Sequence, residues 1–425
     1  MSAPGDAAGP AASAGPARAP LEIGLLLAGP MRARERRLAL RAGERLAAEL
    51  EGRFPRFDWR IDTVVRPDLV DGRREGSSAL LRLAAHERDA ATWDFALMVV
   101  AGELVARYRS FALAALSRPL DAAVVSTARL IVERDGSGRE GSVPADTSGD
   151  APDASDDRIA VDRLATLLLH AVAHLGGAGE ARSPDALLHH PNSPEDLDRM
   201  TTLSEAERTD LEAAFADIAD ARLEETAAAD GRSALRFALR AAWINRGVIA
   251  EAVVAARPWE FPRRLSRLTT AAVSTVAVLL MTAESWDLGL SQDGATLGAL
   301  ALLVLGFTSA FVTSRQGLLL GRGRRAREQL VVTEVSAVAI VVAGLATTWG
   351  CMFALAWLAT AALFEPALVL AWAGSVGLGP EEVGAGTSLK MSSWCASLGL
   401  LIGSLGASFE DQQHFQHVIF VDEEL

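Results

Sequence analysis

Residues 167–180 read LLLHAVAHLGGAGE. His170 and His174 are four apart, so on a helix both imidazoles lie on one face. One face with two imidazoles can be offered to a single ion. A hydrolytic zinc site asks for three protein ligands, an open position for water and a carboxylate to take the water's proton. In an H-E-x-x-H helix that carboxylate follows the first histidine. Here the position is Ala171. The residues leave two readings open. Either His170 and His174, with Glu180 or one of His189 and His190, hold a zinc ion, or the pair are partly buried, hydrogen-bonded helix residues.

Working outward, residues 21–128 alternate strand-like and helix-like patterns. LEIGLLLAG (21–29), FDWRIDTVV (57–65), FALMVVAG (95–102) and DAAVVSTARL (121–130) read as strands, and 32–51 and 77–91 as helices. This alternation predicts an α/β sheet layered with helices. Residues 134–157 hold almost no large apolar side chain and read as a flexible loop. A helix over 158–175 then carries the histidines, and HHPNSP (189–194) reads as a surface loop. Ser204 with Glu207 forms a capping box at the start of a further helix. Residues 231–264 form an amphipathic linker with Arg232, Arg236 and Arg240 at helical spacing. Residues 1–20 are Pro/Gly/Ala-rich without a signal-peptide core, so a disordered tail precedes a cytoplasmic domain at 21–230.

From 265 the chemistry changes. The apolar runs 268–284, 294–314, 331–347, 350–373 and 391–408 suit spans of a roughly 30 Å hydrocarbon core. The run 331–373 is interrupted by TTWG (347–350) and reads as two helices meeting there, which makes five spans, or four if 331–364 is one long tilted helix. An all-α transmembrane domain over 265–408 is therefore expected. Arg257, Arg263, Arg264 and Arg267 precede the first run, and Arg315, Arg322, Arg324, Arg325 and Arg327 follow the second. That asymmetry puts the N-terminal domain on the cytoplasmic side of an inner membrane. Glycines and serines in SLGLLIGSLGAS (397–408) suit close helix packing. Residues 409–425 read as an acidic tail, with Asp422–Glu424 solvated. The net charge of −13 argues against a nucleic-acid partner. Cys351 and Cys395 allow no cysteine-rich zinc site.

The segment His170-Ala-Val-Ala-His174-Leu-Gly-Gly177-Ala-Gly-Glu180 resembles the metzincin protease signature H-E-x-x-H-x-x-G-x-x-H with two substitutions. VVSTARL (124–130) and LLHHPNSPEDLDRMTTLSEAERTDL (187–211) narrow the resemblance to archaemetzincins, over roughly residues 21–225. It implies a zincin-like sheet, a chain turn at Gly177 and Glu180 at the position of the third ligand. The four cysteines of that family's second zinc site are absent, and Leu188-His189 stands where its methionine would. Without a carboxylate at position 171, general-base catalysis worth ~10²–10⁴-fold is forfeited. The expectation is a membrane-anchored, proteolytically inactive binding or regulatory protein. Its partners would be the bilayer and a peptide or protein in the former substrate cleft. A membrane-bound zinc hydrolase with another base, and a transport component using Glu334 or Glu365, are the alternatives.

Overall fold

The computed structural model describes residues 18–71, 76–107, 111–130, 154–219, 239–240, 242–318, 328–407 and 412–425. Most of the expected tail at 1–20, residues 134–153 of the expected loop, Arg232, Arg236 and the arginines of 322–327 lie outside these residues.

Strand β1 (Ala19–Ala28) is followed by helix α1 (Ala33–Arg53), strand β2 (Phe57–Arg66), helix α2 (Ser77–Ala91) and strand β3 (Phe95–Val100). Strands β2 and β3 both pair with β1 in parallel. The chain thus crosses from one side of β1 to the other, and right-handed crossovers place α1 and α2 on opposite faces. Strand β4 (Ala114–Ser117) and strand β5 (Ala122–Ser126) form an antiparallel hairpin, and β5 joins β3 in parallel. The sheet order is β2-β1-β3-β5-β4, closed by a sixth strand from the far end of the chain.

On one face, Leu21, Ile23, Leu25 and Leu27 pack under α1, helix α3 (Ala154–Leu175) and helix α4 (Glu205–Ala219). Phe215 of α4 is the hub, touching the rings of Phe54, Phe57, Trp59 and Phe95. The capping box forms as expected: Ser204 N donates to Glu207 Oε2 at 2.8 Å, and Glu207 N to Ser204 Oγ at 3.2 Å. Helix α3 begins earlier than the sequence pattern suggests, at Ala154.

The other face carries α2 and merges with an apolar helical region. That region comprises α5 (Arg246–Ala255), α6 (Phe261–Arg264), α7 (Ser266–Leu280), α8 (Ala283–Ser291), α9 (Gly294–Arg315), α10 (Glu328–Ala362), α11 (Pro366–Ser375), α12 (Ala385–Ala407) and α13 (Gln412–Phe420). Among the described residues two helices are long and apolar enough to cross a membrane, Gly294–Arg315 and Val331–Ala362; a third span results if α7 and α8, bent by 90°, count as one. Helix α10 runs unbroken through Thr347–Gly350, where the sequence suggested a junction. The Thr347 and Thr348 hydroxyls donate back to the carbonyls of Ala343 and Gly344, so these polar groups are satisfied inside the helix. The break falls instead before Pro366, the first residue of α11. The small residues of α12 do bring helices together: a Cβ on Gly403 would lie 2.9 Å from Ala272 Cβ of α7.

Helix α13 buries Phe415, Val418, Ile419 and Phe420 and packs on α2 and α10. It delivers strand β6 (Glu423–Glu424), antiparallel to β4, with Leu116 opposite Glu423 and Ala115 opposite Glu424.

Candidate functional site

His170 and His174 stand side by side on α3, under the β4 end of the sheet. Gly177, at φ 94°, turns the chain out of the helix in a left-handed conformation that favours glycine. The chain then returns: Ala181 N donates to Leu188 O at 2.9 Å, which folds His189 and His190 back past the end of α3. Asp198 holds this return segment down, accepting two hydrogen bonds from Arg163 of α3 at 2.8 and 2.7 Å.

His170 is fully buried, and its Nδ1–H donates to the Leu187 carbonyl at 2.7 Å. A carbonyl only accepts, so Nδ1 carries a proton, and Nε2 faces Glu423 Oε2 at 3.9 Å. This Nε2 has no hydrogen-bond partner. His174 faces carboxylates at both nitrogens: Nδ1 lies 2.7 Å from Glu423 Oε2, and Nε2 lies 3.2 Å from Asp422 Oδ2. His190 Nδ1 lies 3.2 Å from Glu423 Oε1. His189 turns away, toward the Ala181 carbonyl.

The carboxylates arrive on an added strand. Asp422 N donates to Leu116 O at 3.2 Å, Leu425 N to Ala114 O at 2.9 Å, and Leu113 N to Leu425 O at 2.5 Å. Glu424 meets His417 of α13 at 3.1 Å and accepts from the Arg107 backbone. Leu425 is buried in the core beneath α3. Burial alone would lower the pKa of His174, but Asp422 and Glu423 outweigh it and raise it to about 9. Burial would raise Glu423, yet His170, His174 and His190 hold its carboxyl well below the usual range. His174 is thus an imidazolium between two carboxylates, and the site grips an acidic strand by charge-assisted hydrogen bonds.

Of the residues read from sequence, the structure brings His170, His174 and His190 together. Glu180 is exposed after the Gly177 turn, and Ala171 is fully buried in the core. Two expectations are corrected. The segment 422–424 is not a solvated end: the side chains of Asp422 and Glu424 are 4% and 3% exposed. The His-His pair is not simply a surface loop, because His190 joins the cluster. Asp422 and Glu423 themselves escaped the sequence reading. HVIFVDEEL (417–425) gives little local signal, because His417–Phe420 belongs to α13 and the strand itself is only Glu423–Glu424. Its partner strand lies about 300 residues away and gives no local cue.

Among the described residues no three His, Cys, Asp or Glu side chains stand in a metal-holding arrangement. Nε2 of buried His170 would serve a zinc ion only in a neutral ring, and here it faces Glu423 Oε2 at 3.9 Å. His174 and His190 face the two oxygens of Glu423, and with Glu423 and Asp422 in place His174 has no nitrogen to give.

No family model matches this chain, and no curated protein matches it. Solved structures that it is similar to include two archaemetzincins and a zinc-dependent peptidase. The archaemetzincin of Methanopyrus kandleri shares 16% identity and a TM-score of 0.35, over 48% of this chain and 99% of that one. That of Archaeoglobus fulgidus, complexed with malonate, gives 16% and 0.31 over 45% of this chain and 99% of that one. A zinc-dependent peptidase from Methanocorpusculum labreanum gives 16% and 0.32 over 44% and 99%. These likenesses span under half of the chain, and the chemistry of the cleft rests on its own residues.

Proposed function

We propose that this chain is a membrane-anchored binding protein whose zincin-like cleft holds an extended acidic strand and does not hydrolyse it. The observation that carries this is the seating of Glu423 between His174 and His190 on a strand hydrogen-bonded to β4. Strand addition supplies affinity through the backbone, and the imidazoles supply selectivity for a carboxylate. With alanine at 171, no side chain there can take a proton from a polarised water. Anchoring rests on the length and apolar character of α9 and α10, and the arginines of 257–267 favour a cytoplasmic cleft. Occupancy can reach the apolar helices through α13, because Gln416 Nε2 donates to Gln316 O just beyond α9 at 2.9 Å.

The test uses the full chain in detergent micelles. With zinc supplied, no peptide turnover is expected from the wild type. A labelled Val-Asp-Glu-Glu-Leu peptide should bind Asp422→Asn/Glu423→Gln protein, whose own strand is weakened, more tightly than wild type. Turnover abolished by His170→Ala would refute the reading.

A further inference from the structure

We infer that residues 239–263 form a second membrane contact, lying against an anionic lipid leaflet with Trp243 and Trp259 where headgroups meet acyl chains. The inference rests on the membrane-anchored reading above and adds a partner surface to it: negatively charged lipid on the side of the cleft.

The outer face of this segment mixes two kinds of side chain. Leu239, Trp243, Ile244, Val254 and Trp259 are apolar, and each is more than half exposed. Arg240, Arg246, Arg257 and Arg263 are exposed among them. The guanidinium of Arg246 lies over the Trp243 ring, 5.2 Å from its centre. The acids of the segment are Glu251 and Glu260, and both meet arginines. Glu251 Oε1 lies 3.2 Å from Arg118, and Glu260 Oε2 lies 2.5 Å from Arg264. The face is therefore apolar and cationic. Water is a poor partner for so much clustered apolar surface. Indoles and arginines side by side are the composition of a membrane–water interface, and an anionic leaflet attracts the arginines.

The inner face sets the height of the segment along α10. Ala252, Ala256 and Phe261 are buried, and the Phe261 ring occupies the space a Cβ on Gly344 of α10 would need. Helix α5, the turn Pro258–Glu260 and α6 all pack on α10, with α9 and α12 on its other sides. Under this cover α10 exposes no residue from 331 to 350. Exposure begins at Cys351 and includes Leu355, Trp357 and Leu358. The stretch Val331–Ala362 has 32 residues, a rod roughly 48 Å long against a hydrocarbon core of roughly 30 Å. More helix is present than a bilayer needs, and the covered end is the part with no face for lipid. Trp259, two residues from the Phe261–Gly344 contact, thus sits where cover gives way to lipid-facing surface. The segment is also tied to the cleft. Besides Glu251, the Arg118 guanidinium binds the carbonyls of His174 and Ala178 at the end of α3.

The experiment places the full chain in lipid nanodiscs of phosphatidylcholine, with and without phosphatidylglycerol. Lipids brominated in the upper acyl chain quench nearby indoles. The shares of Trp243, Trp259 and Trp357 are read by difference from Trp243→Phe, Trp259→Phe and Trp357→Phe proteins. Trp243 and Trp259 should lose most of their emission in anionic discs and less in neutral ones. Arg246→Gln/Arg257→Gln/Arg263→Gln should bring the anionic result down to the neutral one. Three outcomes would overturn the inference. One is Trp243 and Trp259 open to acrylamide and untouched by brominated lipid. Another is quenching that is equal in neutral and anionic discs. The third is shielding from both quenchers, which with a doubled protein mass would make this face a contact between copies. Trp357, exposed on the uncovered half of α10, separates the two readings. If brominated lipid quenches it, the anchoring stands whatever becomes of Trp243 and Trp259; if none of the three is quenched, both readings fall.

Discussion

The two edges of the sheet are built on different principles. At one edge, β2 buries only Phe57 and Trp59 and presents Asp58, Arg60 and Arg66. Arg60 pairs with Asp58 at 2.9 Å and Arg66 with Glu87 at 2.7 Å. A charged edge of this kind discourages another strand from pairing with it. At the other edge, β4 is Ala-Ala-Leu-Ser, with all four residues buried. It carries no charge to repel a partner and is covered by β6. One edge is guarded against strand addition and the other is made for it. The histidines of α3 lie beside the second, so selectivity for an acidic strand is placed where the backbone already invites one.

This contrast can be broken or sharpened by substitution. The largest effect is expected from His174→Ala, which leaves Asp422 and Glu423 buried without their shared cation. Opening of β6, read by exchange at the Leu113 and Leu425 amides, should become easier by ~3–5 kcal/mol. The same bond gives a pH signature in metal-free protein. The docked pKa of His174 is raised to about 9, above its ordinary value of 6.5. Its contribution is therefore complete below about pH 6.5 and is lost as pH rises through about 9. Asp422 and Glu423 are the charged groups facing the ring, and exchange at Leu425 that is flat across this window would break the account.

Next in size is Leu425→Ala, which empties a buried site beneath α3 and should ease β6 opening by about 2 kcal/mol or more. If it costs nothing, the strand is held by charge alone. Gly177→Ala should lower stability by about 1–2 kcal/mol, since alanine at φ 94° is strained and its Cβ would meet Glu251 Oε1 at 3.0 Å. A thermal-shift measurement on the full chain checks it. The smallest effect belongs to the guarded edge. Arg60→Ala removes an exposed ion pair and should change stability by under ~0.5 kcal/mol. A larger loss in a thermal melt would mean that β2 depends on its charges for pairing as well as for protection.

The parallel strands were legible because β1, β2 and β3 alternate with helix patterns and β5 is an apolar run bounded by polar and turn residues. The histidine helix was legible because four-residue spacing places His170 and His174 on one face wherever α3 packs. β4 was not, because Ala114–Ser117 is too short and too alanine-rich to declare a strand without its neighbours. The junction expected at Thr347–Gly350 followed from polar residues in an apolar run, but their hydroxyls are satisfied within the helix itself.

Local spacing in the sequence determined the two imidazoles, the missing carboxylate at 171 and the apolar length of α9, and the family resemblance supplied the turn at Gly177. Only the tertiary structure decided that His190 rather than Glu180 completes the cluster, and that Asp422 and Glu423 fill it. The reason is physical: helix faces and turns are set by neighbours a few residues away. The pairing of β6 with β4 is set by an open edge and an imidazolium on distant elements, and nothing in a run of adjacent residues encodes where that edge will be.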